Sequence, residues 1–206
     1  MKVGKRHKFI LPLFTIAVLH SCQQEYTAVE YKQWIESEGS GLHKQKEVGG
    51  MLFDVQYQTP EYMVILNKGP LEFESCDLET ELDNYGDESH RLIFTIDNSE
   101  AGIAPLEYGI VSENEYYGRI QYLNSEVSKD FFMLAGTDTL PCRFAHFERD
   151  FGISPTMRLN LAFDKNPTPM EEDMQLCFED RLFNNGLIKF TFDQDDLNDL
   201  PELIQQ

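Results

Sequence analysis

Cys142, Phe144, His146 and Glu148 occupy every second position within residues 139–149. If that segment is a strand, the four side chains share a face. A thiol, an imidazole and a carboxylate together are the ingredients of thiol catalysis or of a metal site. The spacing argues against direct catalysis, because four strand residues at about 3.3 Å each place Cys142 about 13 Å from His146, beyond proton-transfer reach. His146 and Glu148, about 7 Å apart, would hold a metal only with ligands from elsewhere. A partly buried strand face is the simpler reading of the same alternation.

Two acidic groups are candidate cation ligands. Asp193, Asp195, Asp196 and Asp199 form the denser one, and Glu171, Glu172 and Asp173 the other. Calcium needs several oxygens converging within one loop, commonly around a glycine. Residues 193–199 lack that glycine and run into a helix-like segment, where aspartates also suit the positive end of the helix dipole. Asp83–Glu88 contains Gly86 but spaces its acids poorly for one ion. Tyr116, Tyr117 and Tyr122, with Phe131 and Phe132, are candidates for a sugar- or peptide-binding groove, although aromatic residues also serve as ordinary strand packing. The chain contains no GxSxG, HExxH, phosphate-binding glycine loop or GxGxxG. The reading is therefore a non-enzymatic domain that needs no cofactor.

The elements that would position these residues follow from periodicity. Residues 29–35 give a short helix-like pattern ending at Gly39-Ser40-Gly41. Met51, Phe53, Val55 and Tyr57 alternate with Leu52, Asp54 and Gln56, which is the pattern of a strand. Thr59-Pro60-Glu61 reads as N-cap, first-turn proline and dipole-facing acid, starting a helix to about Asn67 that Gly69-Pro70 stops. Residues 71–85 suggest one exposed amphipathic helix. Beyond them the pattern turns to strands at 91–97, 116–123, 130–135, 139–149, 157–163, 174–183 and 187–192, with Asn185-Gly186 a hairpin signal between the last two. The expected fold is mainly β, an antiparallel β-sandwich-like domain with peripheral short helices; the alternative is an α+β roll.

Composition restricts the partners. The chain has 206 residues and a formal charge of −19, with 41% hydrophobic and 12% aromatic content. Such content belongs to a folding chain, and the charge repels phosphate backbones, so no nucleic acid is expected as a partner.

Lys2, Lys5, Arg6 and Lys8 precede an apolar run from Phe9 to Leu19. A basic head and a short apolar run form a secretory signal, and the run is shorter than the ~20 residues a spanning helix needs. Leu19-His20-Ser21-Cys22 closes it and resembles the lipobox of bacterial lipoproteins, with His20 departing from the small or β-branched residue usual there. The resemblance covers residues 1–22 and implies cleavage before Cys22, lipidation of Cys22 and, with Gln23 and Gln24 following, delivery to the outer membrane. Loss of residues 1–21, which carry four basic and no acidic side chains, would take the formal charge from −19 to −23. The expected organisation is a lipoprotein signal at 1–21, a tether at 22–30 and one β-rich domain at 31–206.

Three cysteines then remain: Cys76, Cys142 and Cys177. An odd number outside the cytoplasm allows one internal disulfide, with Cys142 and Cys177 the candidate pair and buried free thiols the alternative. The expected role is that of an envelope lipoprotein, held in the membrane by its lipid anchor and partnered by another envelope protein, or else one binding carbohydrate or peptide. Cys22→Ala should move the protein from the membrane to the soluble fraction on cell fractionation. Retention in the membrane fraction would remove the anchor.

Overall fold

The computed structural model describes residues 25–85, 89–98, 102–149, 155–165 and 172–205. Cys22 lies outside the described residues, as do Gly86, Asp87, Glu88 and Glu171. The protein is mainly β: among the described residues there are ten strands and a few short helices, with eight of the strands in one antiparallel sheet that curls almost into a barrel.

In chain order, β1 (Glu25–Tyr26) leads into α1 (Ala28–Ile35), then β2 (His43–Val48) and β3 (Met51–Gln58). Next come α2 (Pro60–Phe73), α3 (Leu78–Tyr85), β4 (Ser89–Asp97) and α4 (Glu113–Ser125). The strands β5 (Phe131–Ala135), β6 (Asp138–Glu148), β7 (Thr156–Asp164), β8 (Met174–Asp180) and β9 (Gly186–Phe192) follow. A short α5 (Gln194–Asn198) and β10 (Glu202–Leu203) close the described chain. The sheet order is β2-β3-β4-β7-β6-β5-β8-β9, and β1 pairs with β10 in parallel.

Alternation builds the core. Met51, Phe53, Val55 and Tyr57 point inward from β3, and Leu92, Phe94 and Ile96 from β4. Phe94 is central, with ring centroids 4.9 Å from Phe131 and 5.1 Å from Phe178, while Phe131 and Phe178 stack at 4.4 Å. Offset and edge-on aromatic packing adds to the burial each ring already brings.

β6 carries the sharpest departure from regularity. Its first residues pair with β5, through Pro141 opposite Phe132, and its later ones with β7, through Ala145 opposite Leu161. A bulge between Cys142 and Phe144 lies inside the β7 ladder, just past the last β5 pair at Pro141. A strand that passes from one half of a sheet to the other through a bulge makes a corner. The two halves therefore face each other across the core, as the layers of the expected sandwich-like domain do.

The edges of this sheet are β2 and β9. Lys44 and Lys46 of β2 stand opposite Val55 and Phe53, on the inward side of the register. Both reach across the seam: Lys46 Nζ donates to the Lys189 carbonyl at 2.7 Å and lies 5.6 Å from the Phe190 ring, and Lys44 Nζ is 3.9 Å from Asp196 Oδ2. Inward-pointing lysines are a recognised way to keep an edge strand from pairing further.

Several sequence expectations change. β2 carries no strand signal in the sequence, because His-Lys-Gln-Lys-Glu-Val has no apolar alternation. It forms as the outer arm of a hairpin whose two-residue loop, Gly49-Gly50, has φ values of 61° and 78°. Positive φ at both loop positions matches the twist of a tight hairpin, which glycine reaches without strain. Residues 116–123 are not a strand but part of α4. Ser112 caps that helix, its Oγ accepting from the Glu115 N–H at 3.3 Å. The expected single helix over 71–85 is two pieces: α2 continues to Phe73 past a non-helical Gly69, and α3 starts only at Leu78. The 22–30 stretch read as a tether is folded from Glu25 onward, with Ala28 fully buried.

Phe94→Ala should destabilise the domain by about 3–5 kcal/mol, the usual result of deleting a core aromatic whose cavity does not collapse. Guanidinium denaturation measures it, and a loss below about 1 kcal/mol would show that the barrel repacks around the gap.

Candidate functional site

The bulge in β6 dissolves the face on which the cysteine, histidine and carboxylate were to meet. Cys142 stands opposite Phe163 and packs against the core, whereas Phe144 stands opposite the outward Ala162 and is 56% exposed. His146 and Glu148 follow Phe144 outward. Burial pushes the Cys142 thiol up to about 11, against an ordinary 9.0, and its Sγ donates to the Phe144 carbonyl at 3.1 Å. A thiol held protonated in the core is a packing group rather than a nucleophile.

The candidate disulfide fails on the register of the sheet. Cys177 stands opposite Phe132 and Lys189, on the side of the sheet away from the core, while Cys142 points inward. Their Cβ atoms leave opposite faces of the sheet with β5 between them, which no disulfide bridges without backbone movement. Cys76, Cys142 and Cys177 are all free thiols.

The acidic clusters separate as well. Among the described residues no three His, Cys, Asp or Glu side chains converge on a point where a metal ion would fit. Asp193 is the N-cap residue of α5, Asp196 faces Lys44, and Asp195 and Asp199 lie at the two ends of the same short helix. Asp173 Oδ1 accepts from the Gln194 N–H at 3.0 Å, tying the start of β8 to the end of β9.

The three tyrosines are on α4, where they part company. Tyr117 is 56% exposed and makes an edge contact with Tyr116 at 5.6 Å. Tyr122 turns towards the core and donates to Asp130 Oδ2 at 2.7 Å. Burial and that hydrogen bond hold its phenol above the ordinary range. Asp130 also receives Arg181 at 2.9 Å, so this trio fixes α4 against the start of β5.

A concave site does form elsewhere. It is a cavity of about 400 Å³ between α2 and the outer face of β4, β7 and β6. Cross-strand register sets its floor, because Arg91 stands opposite Ala162 and Ala162 opposite Phe144. Met63 and Leu66 of α2 form the facing wall, and Asn160 closes one side. Leu66 is 42% exposed and Phe144 56%, so the mouth carries apolar surface from both walls. Asn160 Nδ2 donates to Glu148 Oε1 at 2.6 Å, Phe144 stacks on His146 at 6.1 Å, and Arg158 lies 3.9 Å from Glu148. Outward His146 and Glu148 thus flank the groove, although they do not face Cys142.

Among the described residues, the groups that hold Arg91 in place are neutral. Its Nε donates to Ser89 Oγ at 3.1 Å, Nη2 to the Tyr85 carbonyl at 3.0 Å, and Nη1 approaches Met63 Sδ at 3.6 Å. The Tyr85 ring lies 6.0 Å from the guanidinium. An arginine, several amides and two apolar walls suit binding of an amphipathic segment.

A second polar group missed in the sequence lies on the outer face of β2 and β3. Asp54 Oδ2 is 2.6 Å from His43 Nε2 and accepts from Gln45 Nε2 at 2.6 Å. These bonds fasten the edge hairpin. His90 lies inside the sheet, its Nδ1 2.9 Å from the Tyr57 hydroxyl.

No protein-family model matches this chain, and comparison with curated protein sequences gives no match. Among solved structures, a novel protein of unknown function from Burkholderia pseudomallei K96243 is similar, at 14% identity over 84% of this chain and 85% of that one, with a TM-score of 0.37. Likeness at that level assigns no function to this chain.

The thiol placement is directly testable. At pH 8 iodoacetamide should modify native Cys142 roughly a hundredfold more slowly than the same residue in guanidinium-unfolded chain, since only the thiolate reacts. Peptide mass spectrometry gives both rates. Non-reducing digestion should show no Cys142–Cys177 peptide, and finding one would overturn the opposite-face arrangement.

Proposed function

We propose that this chain is an envelope lipoprotein, lipidated at Cys22 and held at the outer membrane, whose β domain acts without catalysis by docking a segment of another envelope protein. The observation that carries the docking reading is the groove between α2 and the outer sheet face, about 400 Å³ with Leu66 and Phe144 exposed at its mouth. Large apolar side chains that line a concavity, rather than standing singly on a convex surface, mark places where another molecule removes them from water. The groove has rigid walls: its floor is three hydrogen-bonded strands, and α2 is capped by Thr59, whose hydroxyl accepts from the Tyr62 N–H at 3.2 Å. A preformed site avoids part of the ordering cost of association.

The anchor supports the same reading. Glu25, the first described residue, is in a strand and stands three residues after Cys22, so lipidation would hold the domain within about 10 Å of chain from the membrane surface. A partner reached from that position is itself an envelope component.

A photo-reactive phenylalanine analogue placed at position 144, in cells of the native host, should crosslink to one envelope protein. The same analogue at Leu187, which is 46% exposed on β9, should not. Equal crosslinking from both positions, or none from position 144, would overturn the groove as the docking surface.

A further inference from the structure

We infer that the docked segment presents a carboxylate, and that Arg91 is the residue that recognises it. The inference rests on the groove being the docking surface. It starts from charge: the chain has 36 Asp and Glu against 17 Lys and Arg, so carboxylates are plentiful around any cation. Arg143, Arg158 and Arg181 each face one, at 2.7 Å from Asp164, 3.9 Å from Glu148 and 2.9 Å from Asp130. Arg91 is half-buried on the groove floor and, among the described residues, faces none. Its partners are a hydroxyl, a thioether and a backbone carbonyl.

Those three contacts hold the guanidinium without neutralising it. Arginine stays protonated at any physiological pH, so the charge persists at the groove floor. A partly desolvated cation with neutral partners gains most from an incoming anion, because part of the desolvation cost is already incurred before binding. Arginine offers five N–H donors in a flat fork that matches a carboxylate, and three are directed to Ser89, Met63 and Tyr85.

The surroundings define the rest of the segment. Arg91 and Phe144 stand in one cross-strand row with Ala162 between them, about 10 Å apart at the usual strand spacing. A carboxylate on Arg91 thus leaves a neighbouring apolar side chain of the same segment between Phe144 and Leu66. The protein's net charge of −19 opposes acidic partners at long range. Recognition is therefore confined to this site, and a chain that is acidic throughout would be disfavoured.

The probe is a random dodecapeptide library displayed on phage, panned against the membrane-extracted full chain held by a C-terminal tag. Selection should enrich Asp or Glu next to a large apolar residue, and panning against Arg91→Met should lose the acidic preference while keeping the apolar one. For a peptide so selected, Glu→Gln should weaken binding to the unsubstituted chain about tenfold, the effect of one charge-assisted contact. The same change should matter less than twofold in Arg91→Met, and Arg91→Lys should restore part of the preference. Enrichment of apolar residues alone, or an acidic preference that survives Arg91→Met, would overturn the carboxylate inference and leave docking in place. Peptides that bind Phe144→Ser/Leu66→Ser as well as the unsubstituted chain would overturn the groove itself, and the inference with it.

Discussion

Arg143 and Phe144 both stand between successive inward-facing positions of β6, where the pleat allows only one residue. That extra residue bends the strand just after its pairing has passed from β5 to β7, and the eight-stranded sheet bends back over its own aromatic face. Without the turn, an eight-stranded sheet would leave Phe94, Phe131 and Phe178 with one solvated side. The same step reverses which residues of β6 face out. Cys142 goes to the core, Phe144 to the surface, and the apolar mouth of the groove exists because of that reversal.

The opposite edge of the sheet shows why curling stops short of a closed barrel. An even number of antiparallel strands would allow β2 to pair with β9. Lys44 and Lys46 instead point inward from β2 and lay their ammonium groups across the seam, onto Asp196 and the Lys189 carbonyl. Burying them in a continuous ladder would remove two cations from water for little return, whereas at an open seam their stems cover apolar surface and their heads stay wet. Close approach of the adjoining loops completes the seam. A Cβ on Gly41 would meet the Asp196 side chain at 1.8 Å and one on Gly49 the Asn185 side chain at 2.1 Å, so a side chain at either position would displace its neighbour, and both sit at positive φ, which glycine adopts without strain.

How much of this was legible in the sequence depended on whether a residue's environment is set locally. Met51–Tyr57 and Met157–Phe163 alternate cleanly because each strand has one face on the core, and both were readable. Thr59-Pro60 announced its helix through chemistry confined to a few residues, whereas Asn185-Gly186 marked the β8–β9 connection but not its form, since Gly186 already pairs with Asp180 and the loop is residues 181–185. β2 was hidden because an edge strand carrying inward lysines has no apolar period. α4 was misread because its tyrosines favour strands, while Leu123 alone is fully buried and leaves no helical stripe. The Ser112-x-x-Glu115 spacing was the available signal there, and its capping bond is present in the fold. The bulge left no trace, since Cys142 and Phe144 are both apolar and either alternation fits the letters.

The groove was the least legible feature, because it is made by register rather than by motif. Arg91, Ala162 and Phe144 become neighbours only after β4 pairs with β7 and β7 with the far end of β6, and α2 supplies its wall from another part of the chain. In the sequence, cysteine, histidine and acids close together in the chain are what stands out as chemistry. The fold separates those residues and assembles a site from one arginine, amides and apolar groups, none of which stands out alone. In so acidic a chain, an arginine supported by neutral groups differs from one neutralised by a neighbour. Its charge remains directed at whatever enters the groove, and the apolar walls determine what may accompany the entering anion.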